Sequence, residues 1–108
     1  MTFFATNSAI LEQGARPVFA DIRVDDLNID PKSVREKITP KTKAIICVHY
    51  GGNVCDMDEL WAIGREHGLP VIEDCAHALG SAYRGHPVGS VGDIGCFSFQ
   101  AVKIITCG

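Results

Sequence analysis

The feature that most limits how this chain can fold is a five-residue run without a polar side chain, Ala44-Ile45-Ile46-Cys47-Val48. A run that short and that apolar suits a strand covered on both faces, the usual situation in a parallel sheet layered with helices. Three further segments read as strands beside it: residues 17–22, residues 69–74 and residues 95–99. Pro70 fits at the entrance of its strand, where a missing N–H does little harm. Helical segments fill the gaps. Asp30-Pro31 sets a capping carboxylate before a proline at the first helical position, and Pro40 stops that helix after about residue 38. Asp56 with Glu59 three residues on is a capping-box variant, followed by Leu60, Ile63 and Gly64 at helical spacing and closed by Gly68. Residues 6–13 form a helix ended by Gly14, and the Gly-rich stretch 80–95 forms turns with a small hairpin. Strand and helix alternate, which predicts an α/β fold in three layers, α/β/α, on a mainly parallel sheet.

The 108 residues suffice for a real core, and 46% hydrophobic with 21% charged residues excludes a disordered chain. A net charge of −3 leaves no basic stripe for nucleic acid, and no apolar run approaches the ~20 residues of a membrane span. The N-terminus lacks the basic region of a secretory signal, and Glu12 interrupts its apolar stretch. Five cysteines without a C-x-x-C pair read as reduced thiols, so a cytoplasmic protein is expected.

Ligands of open parallel sheets gather outside the carboxyl ends of the strands. Three such ends carry polar residues here: His49-Tyr50, Glu73-Asp74-Cys75-Ala76-His77, and Ser98 through Lys103. Asp74 closes an apolar strand, where it is either a turn-capping acceptor or the counter-charge of a cationic ligand group. Lys103 lies in the apolar run Ala101-Val102-Lys103-Ile104-Ile105, and is either a solvated surface charge or an amine whose pKa is lowered for Schiff-base chemistry. Cys47-x-His49 and Cys75-x-His77 form a further constellation, four soft ligands suited to a Cys₂His₂ zinc site.

The run Val71-Ile72-Glu73-Asp74-Cys75-Ala76-His77-Ala78, together with residues 89–103 ending Phe97-Ser98-Phe99-Gln100-Ala101-Val102-Lys103, resembles the DegT-type sugar aminotransferases. Phe3-Phe4-Ala5-Thr6, Asn28-Ile29-Asp30-Pro31 and Val48-His49-Tyr50-Gly51 extend the likeness over essentially the whole chain. These are fold-type-I enzymes that use pyridoxal 5′-phosphate (PLP) to aminate keto groups of nucleotide-linked sugars, with an amino acid donor, usually glutamate. By resemblance, Lys103 bears the cofactor as a Schiff base and moves the substrate proton, and Asp74 pairs with the pyridine nitrogen. His77 stands near the cofactor's 3′-oxygen, Ser98 at its phosphate, and Phe3 over the pyridine face.

The family usually has Asn directly after the lysine, where this chain has Ile104. Lysine at position 103 separates the chain from a dehydrating branch that carries His there. The resemblance implies that residues 1–108 are part of a large, PLP-binding domain. A preceding phosphate-cradling turn, a small C-terminal domain and the partner subunit of a homodimer complete the site, so the segment alone is expected to be inactive. A non-catalytic α/β module and the Cys/His zinc domain are the competing readings.

Overall fold

A computed structural model describes residues 3–107. In chain order the elements are α1 (Phe4–Glu12), α2 (Pro31–Lys37), β1 (Ile45–Val48), a 3₁₀ turn (Tyr50–Gly52), α3 (Met57–His67), β2 (Val71–Asp74), β3 (Ala82–Tyr83), β4 (His86–Pro87) and β5 (Ile94–Cys96). Strands β1, β2 and β5 make one parallel sheet in the order β1-β2-β5, and β3 and β4 form the small antiparallel hairpin.

Local chemistry sets the helix ends. An Asp30 Oδ1 accepts the Lys32 N–H at 2.9 Å ahead of Pro31, and Asp56 Oδ1 accepts the Glu59 N–H at 3.3 Å. Gly68 ends α3 at φ 64°, a left-handed conformation that costs glycine little, and Leu69 N–H returns to the Gly64 carbonyl at 2.8 Å.

Alternation along the strands sorts the side chains. Ile45, Cys47, Val71 and Glu73 turn to one face, where Met57, Leu60 and Ile63 of α3 and Val34 of α2 complete the buried core. Asp74 turns to the other face, where its carboxylate meets the Thr6 hydroxyl of α1. At Gly64 the helix closes tightly on the sheet: a Cβ there would lie 2.7 Å from the Leu69 carbonyl oxygen and 2.8 Å from Val71 Cγ2.

Two strand expectations are corrected. Residues 17–22 form no strand; Ile22 makes a single antiparallel bridge to Ile29, and Val18 and Phe19 are exposed. The segment is folded back on a local turn, with Arg23 N–H on the Asn28 carbonyl and Asn28 N–H on Asp26 Oδ1. The last strand spans Ile94–Cys96, not residues 95–99, because Cys96 pairs with Asp74, the final residue of β2. Beyond that rung Phe97 has no strand partner among the described residues.

Gly64→Ala is expected to destabilise the fold by about 1–3 kcal/mol, the cost of overpacking against backbone that cannot yield, despite alanine's better helix propensity. A urea midpoint equal to wild type would show that α3 does not need this close approach.

Candidate functional site

The carboxyl ends of β1, β2 and β5 share one edge of the sheet, as parallel pairing requires. Asp74 uses both oxygens. Oδ1 accepts the Ala76 N–H at 3.1 Å, the local turn-capping role, and Oδ2 accepts the Thr6 hydroxyl at 2.7 Å across 68 residues of sequence. Thr6 in turn belongs to the first turn of α1, its N–H donating to the Phe3 carbonyl at 3.2 Å. Phe3 is the residue that caps this helix, and Lys103 Nζ lies 5.8 Å from the centre of its ring. The start of α1 is thus touched from two sides, by Asp74 through Thr6 and by Lys103 beside the exposed Phe3 ring, although residues 3, 74 and 103 are far apart in the chain.

Lys103 is half-buried, but not by its sequence neighbours: Val102, Ile104 and Ile105 are exposed. The expected apolar enclosure by the run around it is therefore corrected; what the amine faces is the Phe3 ring. His77 is half-buried and edge-on to Tyr50, with ring centres 6.2 Å apart. Ser98, also half-buried, lies between β5 and the turn that carries Lys103, where its Oγ accepts the Gln100 N–H at 3.5 Å.

Beneath the edge lies a second polar group, whose residues stood at the strand ends in the sequence but were not read there as partners of each other. Glu73 and His49 are fully buried on the α3 face, with His49 Nε2 2.9 Å from Glu73 Oε2. The Cys55 N–H donates to His49 Nδ1 at 3.2 Å, which leaves the ring proton on Nε2, aimed at the carboxylate. Glu73 Oε2 also accepts the Gly89 N–H at 2.9 Å, and Oε1 accepts the N–H groups of Val91 at 2.9 Å and Gly92 at 2.7 Å. The available signal was the doublet Glu73-Asp74: at a strand end, one of two consecutive carboxylates must enter the helix-covered face and find donors there.

The zinc constellation does not assemble as expected. Ligand atoms of Cys47, His49 and Cys55 form one cluster and those of His49, Glu73 and Cys75 another, and His77 belongs to neither. Both ring nitrogens of His49 are already engaged. The thiols are also hydrogen-bonded, Cys55 Sγ to the Val48 carbonyl at 3.3 Å and Cys47 Sγ to the Ile72 carbonyl at 3.6 Å. Burial pushes the pKa of the Cys75 thiol up to about 12, whereas the thiol of Cys47 hydrogen-bonded beside it draws that of Cys55 below the ordinary cysteine value.

Burial by itself would raise the Glu73 carboxyl pKa, but the N–H groups of Gly89, Gly92 and Val91 and the His49 ring outweigh it and hold the pKa below the ordinary glutamate value. A depressed carboxyl pKa contributes stability that is present above the unfolded-state value, about 4.3, and is lost as pH falls through the folded one. Urea midpoints followed from pH 7 to pH 3 should therefore fall less steeply for Glu73→Gln than for wild type. Parallel acid limbs would remove Glu73 from the acid sensitivity of the fold.

The DegT/DnrJ/EryC1/StrS aminotransferase family matches residues 1–108. The spore coat polysaccharide biosynthesis protein SpsC of Bacillus subtilis is 47% identical over 108 residues, which is 100% of this chain and 28% of the relative. The aminotransferase from Psychrobacter cryohalolentis superposes with a TM-score of 0.95 at 48% identity, covering 97% of this chain and 27% of that one. DesI, solved in the presence of its TDP-sugar product, superposes with a TM-score of 0.94 at 47% identity, covering 98% of this chain and 27% of that one. The chain thus spans about 28% of the length of the curated relatives it matches. No helix among the described residues is long and apolar enough to cross a membrane. With an α/β fold, a parallel sheet and a match along its full length, the chain belongs to the DegT/DnrJ/EryC1/StrS aminotransferase family.

Proposed function

We propose that residues 1–108 are part of the large domain of a PLP-dependent aminotransferase that acts on a keto group of a nucleotide-linked sugar. The observation that supports this reading is that the first turn of α1 is reached both by Asp74, through Thr6, and by the Lys103 amine, 5.8 Å from the Phe3 ring. The donor set fits the cofactor's chemistry: an amine for its aldehyde, a carboxylate for its pyridine nitrogen, a hydroxyl for its phosphate and an aromatic ring for its face. When bound, PLP supplies an aldehyde that condenses with amines and a ring that takes up the electrons of a deprotonated carbon.

The side chains then divide the work. Lys103 would hold the cofactor through its amine, and its Nζ would be the group that takes up and returns the substrate proton. Asp74 keeps a proton on the pyridine nitrogen by placing a negative charge beside it, and Thr6 fixes the direction of that carboxylate. Phe3 covers the ring face and excludes water from it. Ser98 donates to the phosphate and His77 to the 3′-oxygen. The amino donor is an amino acid, with glutamate the expected one. SpsC, a spore coat polysaccharide biosynthesis protein, and DesI with its TDP-sugar product support a sugar carried by a nucleotide. The full-length protein is read as a cytoplasmic homodimer whose remaining segments complete the site.

Borohydride reduction of the full-length protein with PLP should leave a pyridoxyl group on Lys103, located by peptide mass spectrometry, and Lys103→Ala should abolish it. Asp74→Ala should retain the label while turnover drops by about a hundredfold or more, the size expected when a positioned proton is lost. Absence of label on wild-type Lys103 would refute the reading, and near-normal turnover of Asp74→Ala would refute the role given to that carboxylate.

A further inference from the structure

Among the described residues Glu73 is a fully buried carboxylate without a Lys or Arg ion-pair partner; four N–H donors balance it, three from the loop at 89–92 and one from His49. So large a commitment of donors to one buried anion is costly unless it fixes something. What it fixes can be traced from contact to contact. Gly89, at φ 84°, packs directly on the next strand: a Cβ on Gly95 would lie 2.3 Å from Gly89 Cα, and a Cβ on Gly89 would lie 2.6 Å from Phe97 Cζ. The far end of the loop is tied to the start of β2, where Asp93 N–H meets the Val71 carbonyl at 2.8 Å and Asp93 Oδ2 accepts the Val71 N–H at 2.8 Å. Between these ties β5 pairs with β2 at only three positions, Ile72 with Ile94, Glu73 with Gly95 and Asp74 with Cys96. A ladder that short is weakly held by its own hydrogen bonds. Ser98 and Lys103 follow on the same segment, seven residues or fewer beyond Cys96.

We infer that Glu73, clamped to Gly89, Val91, Gly92 and His49, is a positioning residue: it seats β5 against β2 and thereby sets Lys103 relative to Asp74. This rests on the aminotransferase reading. Asp74 and Glu73 are consecutive and face opposite ways, so one strand end both presents a carboxylate to the cofactor side and anchors the segment that brings the lysine. Glu73→Gln keeps the shape and supplies one acceptor oxygen where two are needed. Whichever way the amide turns, its NH₂ is set against two donors, either Val91 and Gly92 or Gly89 and His49.

The test uses full-length Glu73→Gln protein and two separate readouts. Backbone amide exchange of residues 89–92, measured without cofactor, should quicken by roughly tenfold or more. The rate at which PLP becomes attached to Lys103, sampled by borohydride at intervals, should fall by roughly ten- to a hundredfold, with kcat falling alike and the KM of the amino donor unchanged. A loss of fold stability alone would move neither the attachment rate of the folded enzyme nor the split between kcat and KM. Unchanged exchange, or faster exchange with an unchanged attachment rate, would overturn the inference. If Glu73→Gln does not fold, His49→Asn serves, since it retains an acceptor for the Cys55 N–H and removes only the donor to Glu73. Both readouts should then move the same way by a smaller factor, and no movement would overturn the inference. Failure of wild-type Lys103 to take up PLP would instead refute the aminotransferase reading.

Discussion

The strand end at Glu73-Asp74 is the constraint on which the rest of this structure depends. Two consecutive carboxylates on an extended backbone must point to opposite faces of the sheet. One face is filled by α3 and holds Glu73 at zero exposure; the other is open enough for Asp74 to be reached by Thr6 from α1. Had the strand been one residue longer or shorter, the faces of the two groups would exchange and a rim carboxylate would become a core one. The sheet register and the polarity of the edge are therefore a single property.

Glu73 also shows how a buried charge is accommodated without an opposite formal charge. Backbone N–H groups from Gly89, Val91 and Gly92 carry fixed dipoles that need no flexible side chain to be ordered, in contrast to a long Arg or Lys. The loop can bring three of them together because Gly89 takes a positive φ and Gly92 lies so near Val71 that a Cβ would sit 2.7 Å from its carbonyl oxygen. Small residues here serve close approach of backbone to sheet, and the anion serves to hold it.

What was legible in the sequence was what neighbours decide. The caps Asp30 and Asp56, Pro31 at a helix start and Gly68 at a helix end express local chemistry and lie where expected, while the strands expected at 44–48 and 69–74 form over the shorter spans Ile45–Val48 and Val71–Asp74. Residues 17–22 misled because a β-rich composition makes a strand only beside another strand, and Ile22 finds only Ile29. The reach of β5 was overestimated for the same reason: its partner ends at Asp74. Asp74 and Lys103 were visible as candidates, but Thr6 as the partner of Asp74 was not, since the contact spans 68 positions. His49 was visible at the edge as a polar residue, while its burial and its bond to Glu73 follow only from packing.

Lys103 makes the same point about chemistry. Its apolar sequence neighbours suggested an enclosing environment, yet Val102 and Ile104 stand exposed and the contact that matters comes from Phe3, a hundred residues earlier in the chain. The amine's surroundings are thus a product of topology: the same helix start supplies the Phe3 ring beside the lysine and the Thr6 hydroxyl bonded to Asp74. A single helix start, tied by one hydroxyl to β2, organises both the charged and the aromatic parts of the edge. A shift of α1 would therefore disturb the partner of Asp74 and the ring beside Lys103 together, since both lie within its first turn.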